Sequence, residues 1–398
     1  MAERMSVEGT VEPGFESVAD AFCSNFTDGE EVGAALAVYV GGRCVVDIWG
    51  GLADPAHDRA WKPDTVTLVY SATKGATSIV LHRLAEEGRL DLERPLADYW
   101  PEFGAHGKDR ITVRELVSHQ AGLPVPTEQL TREELFAGTP AAQALAAQEP
   151  LWEPGTAHGY HALTFGWLVS ELVLRATGSS VSELFGDLVA GPLGLDFWIG
   201  LPDAVEVDFA PLLDGTPDLS TVESIADPQV RAGVEAMLAA MVDPQSLMSR
   251  VFTTNGALPT PHAATWNTRD ALRHEQPAAN GVSNARSLAK MYAATLGEVD
   301  GVRLLRSDTV DAARAEVVSG PDRVTLGPSR YASGFMLASP SAPLLGDDSF
   351  GHPGAGGALG FADVGHGVGF GYTPNQLSRS LVGEVRTAVI VEALRQCL

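Results

Sequence analysis

Cysteine is scarce in this chain of 398 residues: Cys23, Cys44 and Cys397 are odd in number, far apart and outside any C-x-x-C pattern. They read as reduced core thiols, which excludes a disulfide framework and a thiolate zinc site. Long apolar runs are missing too. No stretch approaches the roughly 18 apolar residues of a membrane helix, and Met1 to Phe26 is acidic without the apolar centre of an export signal. The expected location is therefore cytoplasmic, with no membrane partner. Positive charge is outnumbered, leaving a formal net charge of -24. Nucleic acid and anionic lipid would both repel such a surface. A small-molecule partner is favoured, and the sequence admits a homo-oligomer.

What the chain does have is enough apolar content, 45% with a mean hydropathy of +0.03, to bury a large core in two packed regions. Phe15 to Phe26 has helical spacing, and Val32 to Val40 and Cys44 to Trp49 read as strands around a Gly41-Gly42 turn. Thr65 to Tyr70 is a short strand-like run, and Ser71 opens a helical pattern that closes at Gly88. From 101 to 279 the sequence is helical and loop-rich. A helix is then expected from Ser283, as its cap, to Leu296, followed by Gly-punctuated strands at Ala332 to Leu337, Gly357 to Val364 and Gly367 to Tyr372, and a last helix from Arg386 to Leu398. The reading is α+β. Residues 1–100 and 280–398 form an α/β region with an antiparallel sheet, its N- and C-terminal helices sharing one face, and 101–279 forms a mostly α-helical insertion walling one side of the active site.

The chemistry begins at Ser71-Ala72-Thr73-Lys74. One helical turn separates the two outer side chains, so an amine can lie beside a hydroxyl on one face. Lysine serves as the base for a serine nucleophile once burial or nearby cations depress its pKa. The helix N-terminus adds backbone N–H groups for a developing oxyanion. A second S-x-x-K, Ser287 to Lys290, falls inside a helix and fits an amphipathic surface turn.

S-A-T-K at 71–74, E-G-R-L-D-L-E-R-P-L-A-D-Y-W-P at 87–101 and I-T-V-R-E-L-V-S-H-Q-A-G-L-P at 111–124 resemble the serine β-lactamase and penicillin-binding protein superfamily, and within it the class C β-lactamase-like family VIII carboxylesterases. The resemblance runs from about residue 30 to the end and is weakest between 200 and 275. It implies a class C β-lactamase-like fold, no cofactor and an acyl-enzyme on Ser71. Tyr160, in W-E-P-G-T-A-H-G-Y-H-A, resembles the family's catalytic tyrosine. A phenol held near a lysine is deprotonated cheaply and passes protons between nucleophile and leaving group.

Two departures from the lactamase pattern bear on substrate. Ala162 stands where lactamases carry an asparagine, and His352-Pro353-Gly354 followed by Ala355-Gly356-Gly357 stands where they carry Lys-Thr-Gly. Neither an amide hydrogen bond nor a permanent cation is offered to a β-lactam. Ester hydrolysis of small, largely apolar acyl groups is therefore expected. Ala355 N–H is implied as the second oxyanion donor beside that of Ser71, with His352, Gly354, Gly356 and Ala162 as binding residues. An amidase, a D-peptidase, a weak β-lactamase or an acyltransferase would use the same residues, and a non-catalytic ligand-binding homologue would keep the fold alone.

Other constellations are weaker. Gly281-Val282-Ser283-Asn284-Ala285 approaches G-x-S-x-G but lacks its final glycine. His158 and His161 have no partner motif for a metal and are expected to border the pocket. Met237, Met241, Met248, Phe252 and Trp266, expected on loops, are candidates for an acyl pocket, although core packing accounts for most of them.

Overall fold

A computed structural model describes residues 7–215, 220–223, 225–258, 263–339, 342, 344–378 and 384–398. Its strands, in chain order, are β1 (Val7–Val11), β2 (Gly33–Val40), β3 (Arg43–Asp54), β4 (Arg59–Ala60), β5 (Thr67–Leu68), β6 (Phe197–Ile199), β7 (Gly281–Ser283), β8 (Val318–Pro321), β9 (Pro328–Tyr331), β10 (Met336–Leu337), β11 (Ser349–Pro353), β12 (Leu359–Asp363) and β13 (Val368–Pro374). The main sheet is antiparallel, in the order β1-β3-β2-β13-β12-β11-β10-β9-β8, with β4 hung on β3. Gly41 and Gly42, both at positive φ, make the β2–β3 hairpin turn as expected.

Alternation along the central strands decides what covers each face. Phe361, Phe370 and Tyr372 point to one side, where they pack with Phe22 of the helix Glu16–Thr27 and with Ile390 and Leu394 of the helix Val385–Cys397. The terminal helices thus share a face. Gly360, Gly369 and Gly371 lie between those aromatics and face the helix Ala285–Leu296, which sits directly on the sheet. A Cβ at Gly371 would stand 2.2 Å from the Ala285 carbonyl oxygen, so no larger residue fits without pushing the helix away.

Between β7 and the first part of the chain, residues 113–273 supply a series of helices. Three of them start with reciprocal capping boxes, Thr112/Glu115, Thr131/Glu134 and Ser180/Glu183, which satisfy otherwise orphaned N–H groups. This helical segment joins the strand that leads to Ser71 through a small antiparallel sheet ordered β5-β7-β6.

Some expectations need revision. Ser283 is not a helix cap: it ends β7, and the Asn284 side chain accepts the Ser287 N–H at 2.8 Å. The expected strand Ala332–Leu337 is a turn at its start, with Gly334 at φ 85°, and strand only at Met336–Leu337. β1, β8, β9 and β11 were not anticipated, because their short runs carry Gly, Pro and Ser that read as turns.

Candidate active site

Ser71 stands at a strand-to-helix elbow. β5 leads into Val69, whose N–H donates to the Gly281 oxygen at 2.9 Å, and the helix Ala72–Glu86 starts one residue past Ser71. The turn is made by Tyr70 at φ 43°, a left-handed conformation that a residue with a Cβ adopts only under constraint. The constraint is visible. Thr73 Oγ1 donates to the Tyr70 carbonyl and accepts the Gly281 N–H at 2.8 Å, and Lys74 N–H donates to the Ser71 oxygen at 2.9 Å. Ser71 makes no capping bond with its side chain, so the hydroxyl is free for other work.

Lys74 lies one turn on, fully buried, with no acidic partner in hydrogen-bond reach among the described residues. Its Nζ is 2.7 Å from the Ala162 oxygen, 3.0 Å from the Ala278 oxygen and 3.1 Å from Ser71 Oγ. Burial holds its pKa well below the ordinary lysine value. A neutral amine has two N–H bonds and one lone pair. When the amine is neutral the two carbonyls take its N–H bonds and the lone pair is left for the Ser71 proton; when it is charged its third N–H donates to Ser71 Oγ.

Tyr160 completes the trio: its O–H donates to Ser71 Oγ at 2.8 Å, and its ring centre is 4.8 Å from Lys74 Nζ. Burial raises the phenol's pKa, with the Ser71 hydrogen bond acting in the opposite direction. An easily ionised phenol was expected from the sequence; burial acts against that and is the main cause of the raised pKa. The Tyr160 backbone is held from behind. Its N–H donates to Asp322 Oδ1 at 3.1 Å, Gly159 N–H to the His119 oxygen at 3.1 Å, and His161 N–H to His119 Nδ1 at 3.1 Å.

A cavity of about 230 Å³ opens beside the hydroxyl, walled by Ser71, Tyr70, Ala162, Leu163, Met241, Phe252, Trp266, Ala279 and Ala355. Apart from Ser71 its side chains are mainly apolar. Among the described residues, neither Ser71 N–H nor Ala355 N–H has a hydrogen-bond acceptor. Ala355 is brought there by Gly354, where a Cβ would stand 2.1 Å from the Val69 oxygen, so the turn after β11 abuts the elbow itself. Gly356, at φ 82°, packs on Leu377. Gly354 and Gly356 thus lie outside the cavity wall, and their missing side chains serve the close approach.

His352 is buried behind the trio. Its Nδ1–H donates to the Pro353 oxygen at 2.7 Å, its Nε2 has no partner among the described residues, and its ring lies 6.0 Å from that of Tyr160. Burial and the nearby Lys74 lower its pKa to about 3. His158 and His161 do not border the cavity as expected. His158 Nε2 bonds Ser329 Oγ at 2.9 Å, and His161 accepts the Leu123 N–H at 3.1 Å. Among the described residues no group of three His, Cys, Asp or Glu is placed to hold a metal, and no helix is long and apolar enough to cross a membrane.

The competing motifs separate from this centre. Ser287 Oγ accepts the Asp196 N–H at 2.9 Å, while Lys290 bonds the Leu193 oxygen and Asp300, both at 2.7 Å. Ser283 Oγ donates to the Asp196 oxygen at 3.1 Å. Of the acyl-pocket candidates, Met241, Phe252 and Trp266 line the cavity. All five sit on helices rather than loops, Pro228–Val242, Leu247–Thr253 and Ala263–Trp266, and residues 259–262 of that stretch lie outside the described residues. The carbonyls of Ala162 and Ala278 were missed as lysine partners, since a main-chain acceptor leaves no mark in the side-chain sequence. Asp322 was missed as well, although P-D-R-V-T is a turn signal of the kind in which Asp binds N–H groups ahead of it.

The family model described as Beta-lactamase matches residues 18–395. The chain is 39% identical over 383 residues to the esterase/beta-lactamase LipL of Mycobacterium tuberculosis, covering 94% of this chain and 84% of that one. Among solved structures, a family VIII carboxylesterase superposes with a TM-score of 0.85 at 36% identity, covering 99% of this chain and 100% of the other. A penicillin-binding protein homologue from Caulobacter crescentus superposes with a TM-score of 0.83 at 34% identity, with coverage of 99% and 100%.

Proposed function

The chain belongs to the beta-lactamase family, and from that premise we propose that it is a serine carboxylesterase acting on small, largely apolar acyl groups through an acyl-enzyme on Ser71. The observation that carries the reading is the hydroxyl held between a buried amine and a phenol, at 3.1 and 2.8 Å, on the wall of an apolar cavity. The names of its relatives as carboxylesterase and esterase/beta-lactamase support it.

In the proposed reaction the Lys74 lone pair takes the Ser71 proton as Oγ bonds the ester carbonyl carbon. The resulting oxyanion accepts from the N–H groups of Ser71 and Ala355. The C–O bond to the alcohol then breaks, with a proton from Tyr160 going to the departing alkoxide. The proton held on Lys74 restores Tyr160. Water then enters, its oxygen bonds the acyl carbon as its proton passes to the Tyr160/Lys74 pair, the C–Oγ bond breaks to release the acid, and that proton returns to Ser71 Oγ. No cofactor takes part. The helical segment 101–279 supplies Ala162, Leu163, Met241, Phe252, Trp266 and Ala279 to the wall that meets the acyl group.

Ala162 offers a methyl group and His352 is uncharged above its lowered pKa of about 3. A β-lactam carboxylate or a peptide amide finds less to bind here than an uncharged ester. The test is labelling with a fluorophosphonate followed by assays on p-nitrophenyl butyrate, nitrocefin and a D-alanine amide. We expect one adduct, on Ser71, and the highest kcat/KM for the butyrate ester. An adduct on Ser283 or Ser287, no adduct, or a preference for nitrocefin would overturn the assignment.

A further inference from the structure

The catalytic cavity does not end in solid core. Trp266 also walls a second void of about 10 Å³, room for about one water, lined further by Leu258, Ala271 and Gln276. That void shares Phe136, Trp167 and His274 with an outer cleft of about 160 Å³, whose rim carries Glu171 and the exposed Leu174. Three spaces therefore follow one another from Ser71 to a second mouth, and Trp266 belongs to the first two.

The indole stands across this line. Its ring packs edge-on against Tyr70, 5.7 Å away in the catalytic cavity, and against Phe136, 6.5 Å away in the wall of the other two spaces. Only packing holds it: Trp266 is 1% exposed, and its Nε1 has no hydrogen-bond partner among the described residues. Removing the indole would break no polar contact. The second void is lined in part by Leu135, Leu258 and Ala271, side chains that suit methylene groups.

We propose that Trp266 sets the acyl-chain length, as a partition that ends the catalytic cavity and closes it from a passage leading out beside Phe136 and His274. The proposal rests on the esterase reading above. A chain that reaches the indole is stopped in the native enzyme. Without the indole its distal methylenes run on through the second space to the outer cleft.

The experiment compares p-nitrophenyl butyrate with p-nitrophenyl dodecanoate in the native enzyme, Trp266→Leu, Trp266→Ala, and Trp266→Ala combined with Ala271→Leu. Labelling rates of Ser71 by short-chain and dodecyl fluorophosphonates are measured on the same four proteins. The ratio of kcat/KM for dodecanoate over butyrate is expected to rise at least ~10-fold in the two single variants, within the range over which an apolar pocket discriminates methylenes. The plug at position 271 should reverse most of that gain. Trp266→Leu keeps an apolar side chain, so the test survives if the alanine variant folds poorly. An unchanged ratio in variants that still turn over butyrate overturns the partition and leaves the esterase reading standing. If no ester is hydrolysed, the esterase reading falls, and the ratio of labelling rates still decides the partition.

Discussion

Arg386 Nη2 donates to the Gly356 carbonyl oxygen at 2.6 Å, which ties the C-terminal helix to the turn that presents Ala355 to the cavity. The same guanidinium reaches Gln376 O at 2.9 Å and Glu31 at 3.2 Å, and Tyr372 O–H donates to that carboxylate. Both charges are buried. The strand face, the last helix and the turn at 354–357 are thus tied by one knot of hydrogen bonds.

Arg386→Met should leave Glu31, whose pKa burial already raises to about 7, to take up a proton, and should cost about 1–3 kcal/mol for the polar partners left unpaired, with kcat falling more than KM rises as the Ala355 N–H loses its setting. Adding Glu31→Gln should restore much of the stability and little of the kcat. Denaturant melts and steady-state kinetics on the three proteins check this; recovery of both quantities together would show that the turn does not depend on the arginine.

Lys74→Met should lower turnover at least ~10²-fold, and it should also change how stability depends on pH. In the native chain burial depresses the lysine's pKa, so between that value and the unfolded one the unfolded state binds the extra proton. Stability therefore rises with pH through this window, by up to about 1.4 kcal/mol per unit. The methionine variant loses that contribution. Urea titrations at a series of pH values would reveal it as a difference in slope, and parallel slopes would mean that the native amine is charged.

The same argument fixes the rate profile. The proposed mechanism needs the amine neutral, so kcat/KM should climb with pH through the depressed lysine pKa and level off well below the range of an ordinary lysine. His352 and His161, lowered mainly by burial to about 3 and about 4, should add no inflection near neutrality. A rise still continuing near the usual lysine pKa would contradict the buried, uncharged base.

Tyr160→Phe separates the two halves of the proton path. Ester turnover should drop at least ~10²-fold, because the alkoxide loses its acid. Fluorophosphonate labelling of Ser71 should suffer much less, since fluoride leaves without a proton. Equal losses in both assays would move the tyrosine's work to nucleophile activation.

Asp322 is expected to act through Tyr160. Its Oδ1 accepts the N–H groups of Tyr160, Val324 and Thr325 at 3.1, 2.8 and 2.9 Å. Asp322→Ala should lower kcat roughly tenfold with little change in KM, and Asp322→Asn, which keeps an acceptor oxygen, should lose less. A rise in KM at constant kcat would place the residue in substrate binding instead.

Side-chain patterns carried the S-x-x-K helix, the Gly41-Gly42 hairpin and the terminal helices, because spacing and turn chemistry are local properties. Tyr160 was legible only through resemblance, since nothing local announces a phenol that meets Ser71 from a distant loop. The carbonyls of Ala162 and Ala278, and the approach of Gly354 to Val69, were not legible at all. They depend on where the backbone passes, and the residue names there say only that small side chains allow it.

Residue 162 does two things with two different parts of itself: its methyl group faces the acyl cavity while its oxygen holds the lysine. An exchange of side chain at that position redraws the substrate's surroundings and leaves the peptide oxygen where it was. Under the proposed mechanism, a new side chain there would alter selectivity and leave the hold on the base unchanged.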